Sequence, residues 1–198
     1  MESRAEADRA EDERWLAGLL RGEPAAFDGV FAAYRGRVFG YLARMTGRRD
    51  VAEDLTQEVF LRLARSARGL RPDTRLRAWL FTVAHNVMIS HARAQQVTFA
   101  LAAELAQRPA APGPTPFEAV AESATQHRIE RALGQLPVGY REVILLVAIE
   151  GLSPTDAAAA LGLTPEAVRQ RLSRARAMIS PAVDPDARRD AGTQRSTS

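Results

Sequence analysis

The residues with the most definite chemistry lie near the end of the chain, in the run EAVRQRLSRAR over 166–176. At about 100° per residue, Val168, Leu172, Ala175 and Ile179 fall on one side of a helix. Glu166, Gln170, Ser173 and Ala177 fall on the opposite side, flanked by Arg169 and Arg174, with Arg171 and Arg176 nearer the apolar margin. Arg and Gln make paired hydrogen bonds to guanine and adenine edges, Glu accepts from cytosine, and marginal arginines reach phosphates. That face suits a DNA major groove, whereas the plainer alternative is a solvated helix closing a bundle. The preceding residues favour DNA. Ser153 is a candidate N-cap with Pro154 at the first helical position, four alanines make a thin helix, and Gly162-Leu163-Thr164 makes a short turn before Pro165. Two short helices joined by such a turn form a helix-turn-helix pattern.

Two further faces carry polar chemistry. In DLTQEVFLRLAR (54–65), Asp54, Gln57, Leu61 and Arg65 point away from the apolar stripe, so that one leucine sits on a polar face beside Glu58. A single exposed leucine is ordinary, but this setting also suits a protein-docking surface. In the stretch 75–93, Arg75, Thr82, Asn86, Ile89 and Arg93 line up outward, with Trp79 and His85 at the edges. Aromatic stacking with arginine–phosphate contacts suits single-stranded DNA, although a tryptophan is more often core than platform.

The composition removes most other chemistry. There is no cysteine, hence no disulfide, thiol nucleophile or Cys-ligated zinc, and imidazole comes only from His85, His91 and His127. The six-residue spacing of His85 and His91 is not that of a metal pair on one helix. No catalytic residue, metal or cofactor is expected, and the chain reads as a non-enzyme. All 27 basic residues are arginine, so a net charge of +3 holds to high pH and the pI near 10.1 overstates the basicity. Position is more telling: residues 1–14 hold six acids and three arginines, 62–93 seven arginines and one acid, and 169–176 four arginines and no acid. Such basic stretches attract a phosphate backbone. No apolar run approaches the roughly 18 residues of a membrane span, and the charged first fifteen residues do not form a signal peptide. A cytoplasmic protein without membrane insertion is expected.

The elements that must position these residues are helical. Phe27, Phe31, Tyr34, Val38, Leu42 and Met45 recur at three- and four-residue steps up to Gly47. Ala52, Leu55, Val59 and Leu63 form a second pattern, and Leu76, Leu80, Val83 and Val87 a third after the Pro72-Asp73-Thr74 turn. The pattern predicts an all-α fold of two small helical domains joined by a Pro/Ala-rich linker, the second domain a helix-turn-helix unit. The expected boundaries are a charged N-terminal segment (1–23), a first domain (24–96), a linker (97–124), a second domain (125–180) and a disordered tail (181–198). Pro109, Pro112, Pro114 and Pro116 mark the linker.

DLTQEVFLRLAR, RAWLFTVAHN (77–86), the Pro-rich linker and LPVGYREVILLVAIEGLSPTDAAAALGLTPEAVRQRLSRAR (136–176), in that order, resemble a bacterial extracytoplasmic-function sigma factor of the sigma-70 superfamily. The resemblance implies an RNA polymerase subunit with regions two and four only, which recognises minus-thirty-five and minus-ten promoter elements and initiates transcription. It implies that Asp54, Gln57, Glu58, Leu61 and Arg62 dock on the clamp helices of the largest core polymerase subunit. The loop 66–75 and the next helix would engage minus-ten DNA through Arg68, Arg71, Arg75, Trp79, Thr82, Asn86 and Arg93. The minus-thirty-five element would meet Glu166, Arg169, Gln170, Arg171, Ser173, Arg174 and Arg176, and an anti-sigma protein is implied as regulator. The chain departs from many relatives in ISHARAQQ (89–96), where only Arg93 is charged, in the alanines of TDAAAAL, and in Pro165-Glu166 at the entry to the reading helix. Competing functions are a helix-turn-helix repressor and a sigma-like decoy or adaptor that binds an anti-sigma protein.

Overall fold

The computed structural model describes residues 2–105 and 124–183, with side chains over 8–96 and 126–183. Every regular element among these residues is helical, with no strand among them. The elements are α1 (Glu2–Arg21), α2 (Pro24–Thr46), α3 (Arg49–Ser66), a 3-10 turn (Ala67–Gly69), α4 (Leu76–Leu105), α5 (Ala124–Gln135), α6 (Val138–Ile144) with a following π-helical turn (Leu145–Ile149), α7 (Pro154–Leu161) and α8 (Pro165–Val183). The chain divides into two compact units, one built on α1 to α4 and the other on α5, α6 and α8.

In the first unit α2 packs against α1, α3 and α4, and α3 packs on α4. The third expected apolar row holds at Leu76, Leu80 and Val87, which are buried with Phe81 and Ala84, while Val83 is half-buried. Two features differ from the sequence reading. Within the charged segment 1–23, Glu2–Arg21 is a helix whose Leu16 and Leu19 enter the core. It approaches α2 closely because a Cβ on Gly18 would lie 2.6 Å from that of Ala26. Docking of α1 also resets the buried stripe of α2, which runs through Ala26, Val30, Tyr34, Val38, Tyr41 and Leu42. Phe31, expected in the core, is 38% exposed, edge-on to Phe60 with ring centroids 4.8 Å apart. The expected and observed rows share Tyr34, Val38 and Leu42 and part in the first turns of α2, where Ala26 and Val30 are buried in place of Phe27 and Phe31, Ala26 against Gly18 of α1. As expected, Gly47 ends α2, its N–H donating 2.9 Å to the Ala43 carbonyl.

The boundary expected at 96/97 is crossed by α4, which continues to Leu105. The residues VTFALAAEL (97–105) contain no helix breaker, and the proline series begins only at Pro109. Residues 106–123, which hold all four linker prolines, lie outside the described residues, as does 184–198 of the expected tail. At the other end α8 includes Pro181 and is described as far as Val183, so 181–183 is helical.

In the second unit α8 packs on α5 and α6 through Val168, Leu172 and Ala175, while Ile179 is half-buried. α6 starts at Val138 and its apolar run widens into the π turn, where the Glu150 N–H reaches the Leu145 carbonyl five residues back at 2.9 Å. The start and stop signals act as their chemistry requires. Ser153 Oγ accepts from the Asp156 N–H at 3.1 Å and donates to its carboxylate at 2.6 Å. Gly162, at φ +63°, closes α7 in the left-handed region, and the Leu163 N–H returns to the Ala158 carbonyl at 2.9 Å. Thr164 Oγ1 then accepts from the Ala167 N–H at 3.2 Å and starts α8.

Candidate functional surfaces

On α3 the inward residues Val51, Ala52, Leu55, Val59, Phe60 and Leu63 leave the opposite face free of core packing. Asp54, Gln57 and Leu61 are exposed there, Leu61 by 49%. Glu58 and Arg62 are half-buried and joined one helical turn apart, Arg62 Nε donating to Glu58 Oε1 at 2.8 Å. The pair fixes two long side chains beside the leucine. An exposed apolar residue bordered by an amide and fixed charges gives a docking patch with both a desolvation gain and orientation. Gln57 also borders a shallow recess between α2 and α3, floored by Phe31, Phe39 and Phe60.

The loop before α4 is closed on itself. The Arg71 N–H donates to Thr74 Oγ1 at 3.1 Å, and the Thr74 N–H donates back to the Arg71 carbonyl at 3.0 Å. Arg71 forks onto both Asp73 carboxylate oxygens at 3.0 Å, which holds that carboxyl below its usual range. Arg68 behaves differently: its guanidinium covers Gly22 at the end of α1, where a Cβ would lie 2.6 Å from Arg68 Nε. Along α4, Arg75, Asn86 and Arg93 are exposed, while Trp79 and Thr82 are half-buried on the same side. Thr82 Oγ1 donates to the Ala78 carbonyl at 2.8 Å. His91 and Gln95 are partners at 2.9 Å. Trp79 is thus half-buried while its neighbour Leu80 fills the core.

On α8, Glu166, Arg169, Gln170, Ser173, Arg174 and Arg176 are exposed. Arg171 is half-buried, and its guanidinium lies beside Gly139 of α6, where a Cβ would come within 3.1 Å of it. Glu166 Oε2 accepts from Arg169 Nη2 at 2.8 Å and from Nε at 3.1 Å, and Glu166 Oε1 accepts from Gln170 Nε2 at 3.3 Å. Those hydrogen bonds, the Arg169 ones foremost, hold the Glu166 carboxyl below its ordinary range.

One polar cluster escaped the sequence reading. Tyr34, 2% exposed, donates its hydroxyl to Asp12 Oδ1 at 2.6 Å and accepts from Arg77 Nε at 3.3 Å, while Arg77 Nη2 reaches Asp8 Oδ2 at 3.3 Å. Trp15 stands edge-on to Tyr34, with centroids 6.3 Å apart, and Arg37 lies over the Tyr34 ring at 5.1 Å. Burial pushes the Asp12 carboxyl up, against the pull of Tyr34 and Arg77. The cluster ties α1 to the helix that carries Trp79. Its only sequence signal was the acid-rich start of the chain facing an arginine-rich middle.

Two separate helical units, one ending in a helix-turn-helix with an exposed Arg/Gln face, define a DNA-binding protein of modular build. Sigma-70 region 2 matches residues 30–98 and Sigma-70, region 4 matches residues 126–179. RNA polymerase sigma factor CnrH of Cupriavidus metallidurans is 36% identical over 190 residues, covering 91% of this chain and 96% of that protein. RNA polymerase sigma factor CarQ of Myxococcus xanthus is 36% identical over 77% of this chain and 86% of its own length. Among solved structures, CnrH in complex with the cytosolic domain of CnrY superimposes with a TM-score of 0.64 at 29% identity, covering 89% of this chain and 99% of that one. The chain belongs to the extracytoplasmic-function sigma factors of the sigma-70 superfamily. It is a promoter-recognising transcription initiation factor, as the resemblance implied.

Proposed function

We propose that three surfaces divide the work of this sigma factor. The α3 face of Asp54, Gln57, Glu58, Leu61 and Arg62 docks on the clamp helices of the largest subunit of core RNA polymerase. The observation that carries this reading is the exposed Leu61 held between Gln57 and the Glu58–Arg62 ion pair. Burying a leucine that is half exposed in the free protein contributes on the order of 1–2 kcal/mol, and the rim charges set orientation.

The turn 70–74 and the outward side of α4 engage the minus-ten element as single-stranded DNA. Arg75 and Arg93 meet phosphates, Trp79 offers a stacking edge, and Thr82 and Asn86 offer polar contacts to bases. Arg71 exchanges Asp73 for a phosphate on binding, and Arg68 must leave Gly22 to take part. Extraction of a base costs a few kcal/mol and is offset by stacking of about 1–3 kcal/mol per base plus arginine contacts. Strand opening on this scheme needs no nucleotide hydrolysis by the sigma factor, which is not itself an enzyme. On α8, Arg169, Gln170, Ser173 and Arg174 face the minus-thirty-five major groove, while Arg171 and Arg176 lie toward the backbone.

A sigma factor of this kind works in the cytoplasm, and no helix among the described residues is long and apolar enough to cross a membrane. The CnrH structure contains the cytosolic domain of CnrY, and a structural neighbour from Bartonella quintana is a sigma factor in complex with an anti-sigma factor. We extend that mode of control to this chain. The test is transcription in vitro with core polymerase on a genomic fragment library, mapping start sites. Protein-dependent starts sharing two spaced motifs are expected, and Leu61→Asp with Gln57→Ala abolishes them together with core binding. Transcription that survives this double substitution refutes the docking face.

A further inference from the structure

Glu166 stands at the second position of α8, on the face proposed to read the upstream element, where a carboxylate is favoured by the helix N-terminus. Its chemistry alone would make it a reader of cytosine. Its hydrogen bonds give it a different role, because one oxygen takes two donors of Arg169 and the other takes one donor of Gln170. Both acceptor atoms face along the helix toward partners three and four residues on, the spacing at which side chains on one helix face meet.

The donors left over are informative. A guanidinium has five N–H groups in a fixed fork. Glu166 occupies the Nε proton and one Nη2 proton of Arg169, its side edge, and leaves the end edge of Nη1 and the second Nη2 proton unclaimed by it. That end edge is a pair of parallel donors, the set that guanine O6 and N7 accept. Gln170 gives one Nε2 proton to Glu166 and keeps its carbonyl oxygen and second N–H, the acceptor–donor pair that matches adenine N6 and N7. A single carboxylate therefore leaves each neighbour with the half of its hydrogen-bonding capacity that base reading needs.

We propose that Glu166 is a positioning residue for promoter specificity: it pre-orients Arg169 and Gln170 as bidentate base readers and reads no base itself. The proposal rests on the α8 face being the reader of the minus-thirty-five element. Its benefit is pre-organisation. Two long side chains are partly immobilised before DNA arrives, so less freedom is lost on binding. The negative charge next to DNA is neutralised in advance by Arg169.

The test uses the full-length protein assembled with core polymerase, on a promoter recovered by start-site mapping with the upstream element randomised, reading base preference from selected sequences. Arg169→Ala removes preference at the base pairs it reads, by roughly 5- to 150-fold for a good bidentate contact. Glu166→Ala weakens preference at those same base pairs and at the Gln170 position by about two- to tenfold, and adds less than twofold at the Arg169 position when Arg169 is already alanine. Glu166→Gln, which keeps one acceptor oxygen, restores part of the loss. Relaxation by Glu166→Ala at a base pair that neither Arg169→Ala nor Gln170→Ala affects makes Glu166 a direct reader and overturns the proposal. A uniform gain of affinity without change in preference, as expected of simple charge removal, overturns it too. If Arg169→Ala leaves every upstream preference intact, it is the underlying assignment of the α8 face that fails.

Discussion

Replacing Tyr34 with phenylalanine probes the cluster that joins α1 to α2 and α4. The hydroxyl removed is the donor to Asp12 at 2.6 Å and the acceptor from Arg77 at 3.3 Å. A hydrogen bond to a charged group contributes about 1.5–3 kcal/mol. Asp12 keeps access to water, which screens the loss, and Arg77 retains Asp8 at 3.3 Å. The expected destabilisation is therefore about 1–2 kcal/mol at pH 7, a fall in melting temperature of several degrees for a domain of this size. Both tryptophans of the chain, Trp15 and Trp79, lie in the first unit, so tryptophan fluorescence during urea unfolding follows that unit selectively. The pH dependence has a definite sign. Burial already raises the Asp12 carboxyl above its usual value, and the Tyr34 bond pulls it down. Without Tyr34 it rises further, so the variant's native state binds more protons in the range just above the ordinary carboxylate value. The deficit of the variant is consequently largest near neutrality and shrinks as pH falls through the Asp12 titration. A loss below about 0.5 kcal/mol at pH 7, or one that grows on acidification, refutes the account of α1 as an anchored part of the domain.

Other outcomes follow from the same geometry. Gly22→Ala, at φ +75°, costs about 1 kcal/mol in unfolding of the first unit, because the left-handed backbone disfavours a Cβ and the new methyl displaces Arg68; an unchanged urea midpoint contradicts it. Ser153→Ala removes the cap of α7 and costs about 1 kcal/mol, seen as faster hydrogen exchange at the Asp156 and Ala157 amides. Arg176→Ala weakens holoenzyme binding to all promoter variants alike and lowers the salt slope of binding by about 0.9 if it meets one phosphate. A change in base preference instead would move Arg176 into the reading set.

The features legible from the residues alone are local or periodic. Ser153, Gly162 and Thr164 each act within five residues of themselves, and Gly47 closes a helix on a carbonyl four residues back, so their types were enough to place α7, the turn and α8. The outward faces of α3 and α8 were also legible: each of these helices has one strong apolar stripe, and the opposite residues are exposed by geometry alone. The remaining features depend on contacts between helices distant in the chain. Asp8 and Arg77 lie 69 positions apart and Asp12 and Tyr34 22 apart, and no periodicity links such residues. In the first turns of α2, where α1 docks, Ala26 and Val30 are buried, which leaves Phe31 at the surface. α4 runs past the compositional boundary because a shift toward alanine at 97–105 introduces no helix breaker. The orientation of side chains within an exposed face was equally beyond composition. Arg68 rests on Gly22, 46 positions earlier, because a flexible guanidinium adopts whichever surface folding brings within reach, and only the assembled helices set that distance; the Glu166–Arg169 pair, three residues apart on α8, follows instead from helix geometry.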